Sequence, residues 1–291
     1  MLTVGIWAVL SLFGALPFWL GEPNLRFSAA YFEAVSGTTT TGATVIFGLD
    51  DLPAGMNLWR GMLNWLGGIG IAFIAMIFLP LMRVYGMQFF RTKGFDTFGK
   101  ALPRARDIAR VYVLLTALCI YAYGLIGMSA LDAVVNGAAT IATGGFSPSD
   151  ISFQKYFGAG GYVGTVFMLL GSLPYVRYLQ LVRGDARLLW HDEQACAYLR
   201  WLGGAVVLVA VWHHFHSGMP WEPAFREAMF NLTSIMSSTG FFSDSFPAWG
   251  GFMLIVAFVP GMVGACSGSS AAGLRVFRVQ VALVALRAHL A

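Results

Sequence analysis

Charged residues are scarce in this sequence. Asp, Glu, Lys and Arg make up 11% of its 291 residues, against roughly 25% in an ordinary soluble domain. A chain so poor in charge lacks the polar surface that a water-facing globule needs, which excludes disordered, collagen-like and ordinary cytosolic classes. Cysteine is scarce too. Cys119, Cys196 and Cys266 are odd in number and far apart, so neither a disulfide framework nor a zinc spacing can be drawn from them. Apolar residues fill the chain instead: 57% are hydrophobic, 15% aromatic, with 35 glycines among them and a mean hydropathy of +0.69. This composition implies an integral membrane protein of closely packed helices.

A charge at the centre of a lipid span costs several kcal/mol, so stretches free of charge mark candidate spans. The long ones are 1–21, 61–82, 111–131, 156–176, 201–221 and 245–274, each long enough for the ~20 residues a crossing helix needs. Three shorter runs, 34–49, 133–149 and 228–243, lie between them, and the first carries Ser36, Thr38, Thr39, Thr40, Thr41 and Thr44. Long, short, long recurs three times. A short polar run between two spans reads as a re-entrant segment, in which a half-helix dips in and irregular chain returns. Such backbone is tolerated at membrane depth only where protein buries it or a watery cavity borders it. The expected fold is therefore all-α and integral to the membrane, with six transmembrane helices and three re-entrant pore half-helices in repeated membrane–pore–membrane units.

Basic residues give the orientation. Segments 83–110, 177–200 and 275–291 hold 14 of the 18 Lys and Arg, which places them in the cytoplasm and makes all three short runs enter from outside. The net charge of +4 is explained by this topology and calls for no nucleic acid. The expected division is a first unit at 1–82, a cytoplasmic loop at 83–107, a second unit at 108–182, a loop at 183–200, a third unit at 201–280 and a tail at 281–291. The N-terminal run has no basic flank and reads as a span rather than a signal peptide.

The short runs align on a Thr-Gly pair at Gly42, Gly144 and Gly240. Glu33, Asp132 and Glu227 precede the three stretches, where a carboxylate favours a helix N-terminus. Each half-helix then aims its negative end at the membrane centre, a place where a cation is stabilised. A dehydrated alkali ion needs rings of oxygen, which hydroxyls and inward-turned carbonyls supply without formal charge. Glycine permits the torsions that turn a carbonyl inward. One Thr-Gly is a turn; three in re-entrant runs read as a filter. The candidate potassium-binding residues are Thr40, Thr41, Gly42, Ala142, Thr143, Gly144, Ser238, Thr239 and Gly240.

The segments FEAVSGTTTTGATV at 32–45, NWLGGIGI at 64–71, ATGGFSPSD at 142–150, LLGSLPYVRYL at 169–179 and STGFF at 238–242 resemble those of a known family. The chain is similar throughout to the potassium-translocating subunits of the Trk/Ktr/HKT superfamily, of the TrkH type. That resemblance implies a potassium-channel-like fold with four units around one ion path, K+ as the transported ion, and no cofactor bound by the chain. It also implies a homodimer in the bacterial inner membrane, a multi-pass plasma-membrane location in contact with lipid, and a cytosolic nucleotide-binding regulatory subunit of the TrkA kind. Three units are found where the family has four, so the chain is expected to be a fragment of a longer protein. A non-conducting scaffold and a less selective K+/Na+ transporter are the alternatives.

The sixth long run, 30 residues, contains PGMVGACSGSSAAG at 260–273, where Pro260 and the Gly/Ser cluster break helix propensity. The resemblance implies a gate here. Its candidate residues are Gly261, Gly264, Ser267, Gly268, Ser269, Ser270, Gly273 and Arg275, within a loop spanning 261–273 that obstructs the path beneath the filter. Removing the loop is expected to raise flux and leave ion preference alone. His213, His214 and His216 read as interfacial packing rather than a metal site, and His191, Asp192 and Cys196 as a surface segment. Gly67, Gly68 and Gly70 only superficially match a nucleotide fingerprint, having no strand before them. An intramembrane enzyme would need a base pairable with Ser or His at membrane depth; the spans offer none, so the chain is read as no enzyme.

Overall fold

The computed structural model describes residues 2–73, 101–182, 191–243, 246 and 249–290. Residues 74–82, expected to end the first unit, and segments 83–100 and 183–190, expected to be cytoplasmic, lie outside the described residues. Among the described residues the regular structure is entirely helical.

Nine of the described α-helices fall into three groups of three. The first comprises α1 (Leu2–Leu20), the short α2 (Phe27–Thr38) and α3 (Ala54–Phe73). The second comprises α4 (Ala101–Leu125), the short α5 (Ala130–Ala142) and α6 (Phe157–Ser172). After α7 (Tyr175–Val182), the third comprises α8 (Glu193–Ser217), the short α9 (Trp221–Met236) and α10 (Gly250–Val263). A last helix, α11, spans Val276–Leu290. Within each group the three helices pack on one another, and the third helix also packs on the short helix of the next group: α3 on α5, and α6 on α9.

Local chemistry explains the boundaries. Ser129 caps α5 by accepting the Asp132 N–H at 3.1 Å, and Asp192 caps α8 by accepting from Ala195 at 2.9 Å. Both satisfy an N–H that the helix leaves free. At the far end α8 stops on Gly218, whose φ of 66° is left-handed, a usual helix stop. Leu173 precedes Pro174 and is extended, as a residue before proline must be, and α7 leaves α6 at 94°.

Two described helices, Ala105–Leu125 and Glu193–Ser217, are long and apolar enough to cross a membrane, and α6 with α7 passes that test only as a bent pair. Small residues let the helices close on one another, the usual device where lipid removes the hydrophobic drive between helices. Gly61 abuts Val135, and Gly164 abuts Phe230. A ring cluster, Tyr123, Phe153, Phe230 and Phe241, with centroids 5.1–5.6 Å from Phe153, ties groups two and three together.

Two acidic expectations are corrected. Glu33 and Glu227 lie inside α2 and α9 rather than at their starts; Glu222 occupies the first turn of α9. Only Asp132 stands in the expected place. The charge-free window began after each carboxylate, whereas the helix began before it.

Candidate functional site

Each short helix ends in the same backbone turn. The N–H groups of Thr40, Thr143 and Ser238 reach carbonyls three residues back, on Gly37, Thr140 and Ile235, at 3.0–3.1 Å. The next N–H groups, of Thr41, Gly144 and Thr239, reach five residues back, to Ser36, Ala139 and Ser234, at 2.8–2.9 Å. The first residue of each turn is left-handed: φ is 54° at Thr40, 52° at Thr143 and 61° at Ser238. Two residues on comes a left-handed glycine, Gly42 at 76°, Gly145 at 72° and Gly240 at 86°. Left-handed backbone is rare for a β-branched residue and persists only where its surroundings hold it.

This hydrogen-bond register corrects the sequence alignment. Gly145, not Gly144, is the equivalent of Gly42 and Gly240, while Gly144 takes the place of Thr41 and Thr239. Ala142 is the last residue of α5, level with Thr39 and Ser237. The Thr-Gly pair in ATGGF matches its first glycine by sequence; the bond five residues back selects the second.

The three legs lie side by side at one level. A Cβ added to Gly42 would strike the Gly144 carbonyl, and one added to Gly145 would strike the Thr239 carbonyl. Both positions need glycine for this approach as well as for their φ.

A buried ion pair fixes the first two legs, and the sequence reading missed it. Arg60 and Glu33 are 1% and 0% exposed, with Nε 2.9 Å from Oε1. Glu33 also accepts from the Thr44 hydroxyl and the Val45 N–H at 2.9 and 3.0 Å. Arg60 donates to the Ser147 carbonyl at 2.8 Å and stands 4.3 Å over the Phe146 ring. The outward ends of these legs are clasped reciprocally. Asp150 accepts from the N–H groups of Gly48 and Leu49 at 2.9 and 3.2 Å, and Asp50 accepts from the Ser149 hydroxyl and the Asp150 N–H at 3.0 and 3.2 Å.

The Gly/Ser segment packs against this site. Gly261 belongs to α10, where it faces Ile235, so the loop begins at Gly264 rather than at residue 261. Residues 264–271 are buried. Gly264 and Gly273 touch, which brings the two ends of the loop together. The Tyr175 N–H donates to Gly268 at 3.0 Å and the Cys266 N–H to Ser172 at 3.3 Å, seating the loop on the break between α6 and α7. Ser267 donates its N–H to Gln194 at 3.2 Å, and the Ser269 hydroxyl donates to the Cys266 carbonyl at 2.7 Å. Ser270 Oγ lies 2.9 Å from the Ile141 carbonyl, 3.2 Å from that of Gly171 and 3.4 Å from the Thr143 hydroxyl. Arg275, left-handed at φ 75°, folds back to donate to the Cys266 carbonyl at 3.3 Å.

A family model described as TrkH, cation transport protein, matches residues 1–290. The chain belongs to the TrkH family. It is 40% identical over its whole length to the Trk system potassium uptake protein TrkI of Halomonas elongata, and 35% identical over 96% of its length to TrkH of Escherichia coli K12. The crystal structure of the potassium transporter TrkH from Vibrio parahaemolyticus superposes with a TM-score of 0.90 at 30% identity, covering 99% of this chain and 61% of that one. The chain spans about 60% of the length of these relatives. TrkH proteins are membrane-embedded transport proteins rather than enzymes.

Other marked residues of this TrkH-family chain have packing roles. Gly67 passes against the Thr38 carbonyl and Gly68 against Ala142, so the glycines of NWLGGIG let α3 cross beneath two short helices at once. Gly171 gives α6 a like close approach to α5, where a Cβ would meet the Ile141 carbonyl at 3.0 Å. The histidine rings pack on tryptophans: His213 on Trp249 at 4.9 Å and Trp212 at 5.1 Å, His214 on Trp221 at 3.9 Å and His216 on Trp212 at 4.5 Å. Asp192 pairs with Arg177 at 2.6 Å, fastening α8 to α7.

Proposed function

We propose that this chain carries potassium ions inward across the bacterial inner membrane, through a path of four units of which it supplies three. The single observation that carries this reading is the left-handed pair repeated at Thr40/Gly42, Thr143/Gly145 and Ser238/Gly240. Strained backbone of one pattern, at the ends of three short helices whose C-terminal dipoles favour a cation, suits a ring of carbonyls that replaces an ion's hydration shell. The relatives' names, Trk system potassium uptake proteins, agree with potassium as the ion.

In this reading the long helices of each unit cross the membrane and α2, α5 and α9 are re-entrant. Thr40 to Gly42, Thr143 to Gly145 and Ser238 to Gly240 form the filter. Loop 264–273 is the gate, pulled through Arg275 and α11 by a TrkA-like cytosolic subunit, and the chain pairs with a second copy. The three legs differ at Thr41, Gly144 and Thr239, which favours a preference for potassium over sodium less strict than that of a channel with four identical legs.

The test is potassium and sodium uptake by the full-length gene product in cells lacking their own potassium uptake. The wild type should restore potassium uptake. Gly145→Ala should lower the potassium-to-sodium ratio about tenfold, because left-handed backbone alone costs an alanine about 1–2 kcal/mol and its Cβ meets the Thr239 carbonyl. No uptake by the wild type, or an unchanged ratio in the variant, would overturn the assignment.

A further inference from the structure

The filter legs are not equally polar behind their backbone. In the first, the hydroxyls of Thr39 and Thr41 bond at 2.8 Å; in the third, those of Ser237 and Thr239 bond at 2.6 Å. The second leg has Ala142 and Gly144 at these two positions and so has no hydroxyl to pair. The preceding helix of group one supplies something else there. Asn64 of α3 is fully buried, and a Cβ added to Gly144 would lie 2.6 Å from both its Cγ and its Nδ2 and 2.9 Å from its Oδ1. Neither amide atom has a hydrogen-bond partner among the described residues.

Gly144 is not left-handed, so its backbone does not require glycine. What excludes a side chain is the Asn64 amide. The neighbouring unit shows the converse arrangement. Gly67 of α3 and Gly171 of α6 abut equivalent carbonyls, Thr38 and Ile141, which makes Met168 the counterpart of Asn64. Where the third leg has its hydroxyl pair, α6 carries a buried, apolar Met168; where the second leg has none, α3 carries an amide. A buried amide without a partner costs about 1–3 kcal/mol, and an apolar residue of the same volume would avoid that cost.

We propose that Asn64 is the positioning residue of the second filter leg, and through it a determinant of ion preference, filling by volume and polarity the place held by hydroxyl pairs in the other two legs. It acts through Gly144 and Gly145 rather than on the ion. The inference rests on the proposed potassium path.

The experiment compares potassium and sodium flux, normalised to protein in the membrane, for the full-length gene product carrying Asn64→Leu, Gly144→Thr and the pair Asn64→Ala with Gly144→Thr. Asn64→Leu keeps the volume and removes the amide, and should lower the potassium-to-sodium ratio several-fold. Gly144→Thr alone should lose flux through its clash with Asn64. The double variant, with space for the threonine and a hydroxyl restored, should regain flux and most of the ratio. A wild-type ratio in Asn64→Leu, or a double variant no better than Gly144→Thr, would overturn the proposal and leave Asn64 as filler. Absence of potassium flux in the wild type would overturn the potassium path itself and the role of Asn64 with it.

Discussion

Arg60 and Glu33 carry opposite charges into a place where each alone would be prohibitive. Desolvating an ion costs several kcal/mol, recovered only when its partner and further hydrogen bonds are well placed. Here they are: Glu33 holds Thr44 and Val45 of the first leg, and Arg60 holds Phe146 and Ser147 of the second. Removing one partner leaves the other charge uncompensated, so Arg60→Met should lower stability by about 3–5 kcal/mol, and adding Glu33→Met should recover part of it. Thermal unfolding of the detergent-solubilised protein measures both; a single variant that melts with the wild type would sink this account. The pair was hidden from sequence reasoning because that reasoning excludes charge from spans, and so treated both residues as ends of runs. Gly145 was hidden for another reason: two adjacent glycines admit two registers, and only a hydrogen bond five residues back distinguishes them.

At the scale of elements, much was legible. Each short charge-free run holds the C-terminal part of a short helix and the turn that follows it. Pro260 and the Gly/Ser cluster located the loop, because local propensity alone ends α10 before it. What the loop touches was not legible, since Ser270 meets Ile141 across more than a hundred residues of chain. That contact changes the expected effect of removing the loop. Gly264 and Gly273 already touch, so excising 265–272 can join α10 to α11 with little movement of either, and basal potassium flux should rise several-fold. The proposed filter is not left untouched, however, because the excision also removes Ser270 from Ile141 and Thr143. Ser270→Ala, which deletes the hydroxyl alone, should therefore lower the potassium-to-sodium flux ratio up to about fivefold, the equivalent of roughly one net hydrogen bond. If Ser270→Ala and the excision both kept the wild-type ratio, the loop would be a barrier with no hold on the filter.

At the scale of the molecule, the proposal depends on where each short helix enters and leaves the membrane. A crossing helix has its flanks on opposite faces; a re-entrant one has both on the same face. Arg26 immediately precedes α2 and Asp51 follows its return leg, and both are exposed. Glu222, also exposed, opens α9, while Glu193 opens α8, 25 residues long, which at ~1.5 Å per residue is more than a bilayer's hydrocarbon thickness. In the proposed orientation, which follows the positive-inside asymmetry, the start of α8 is cytoplasmic. With Cys119, Cys196 and Cys266 first replaced by serine or alanine, single cysteines at 26, 51 and 222 should react with a membrane-impermeant maleimide added to intact spheroplasts. A cysteine at 193 should react only after the membrane is opened. Reaction of 26 but not 51 from outside would make α2 a crossing helix and reverse every unit after it; the basic segments would then lie on the wrong face, and no single path could receive all three legs from one side.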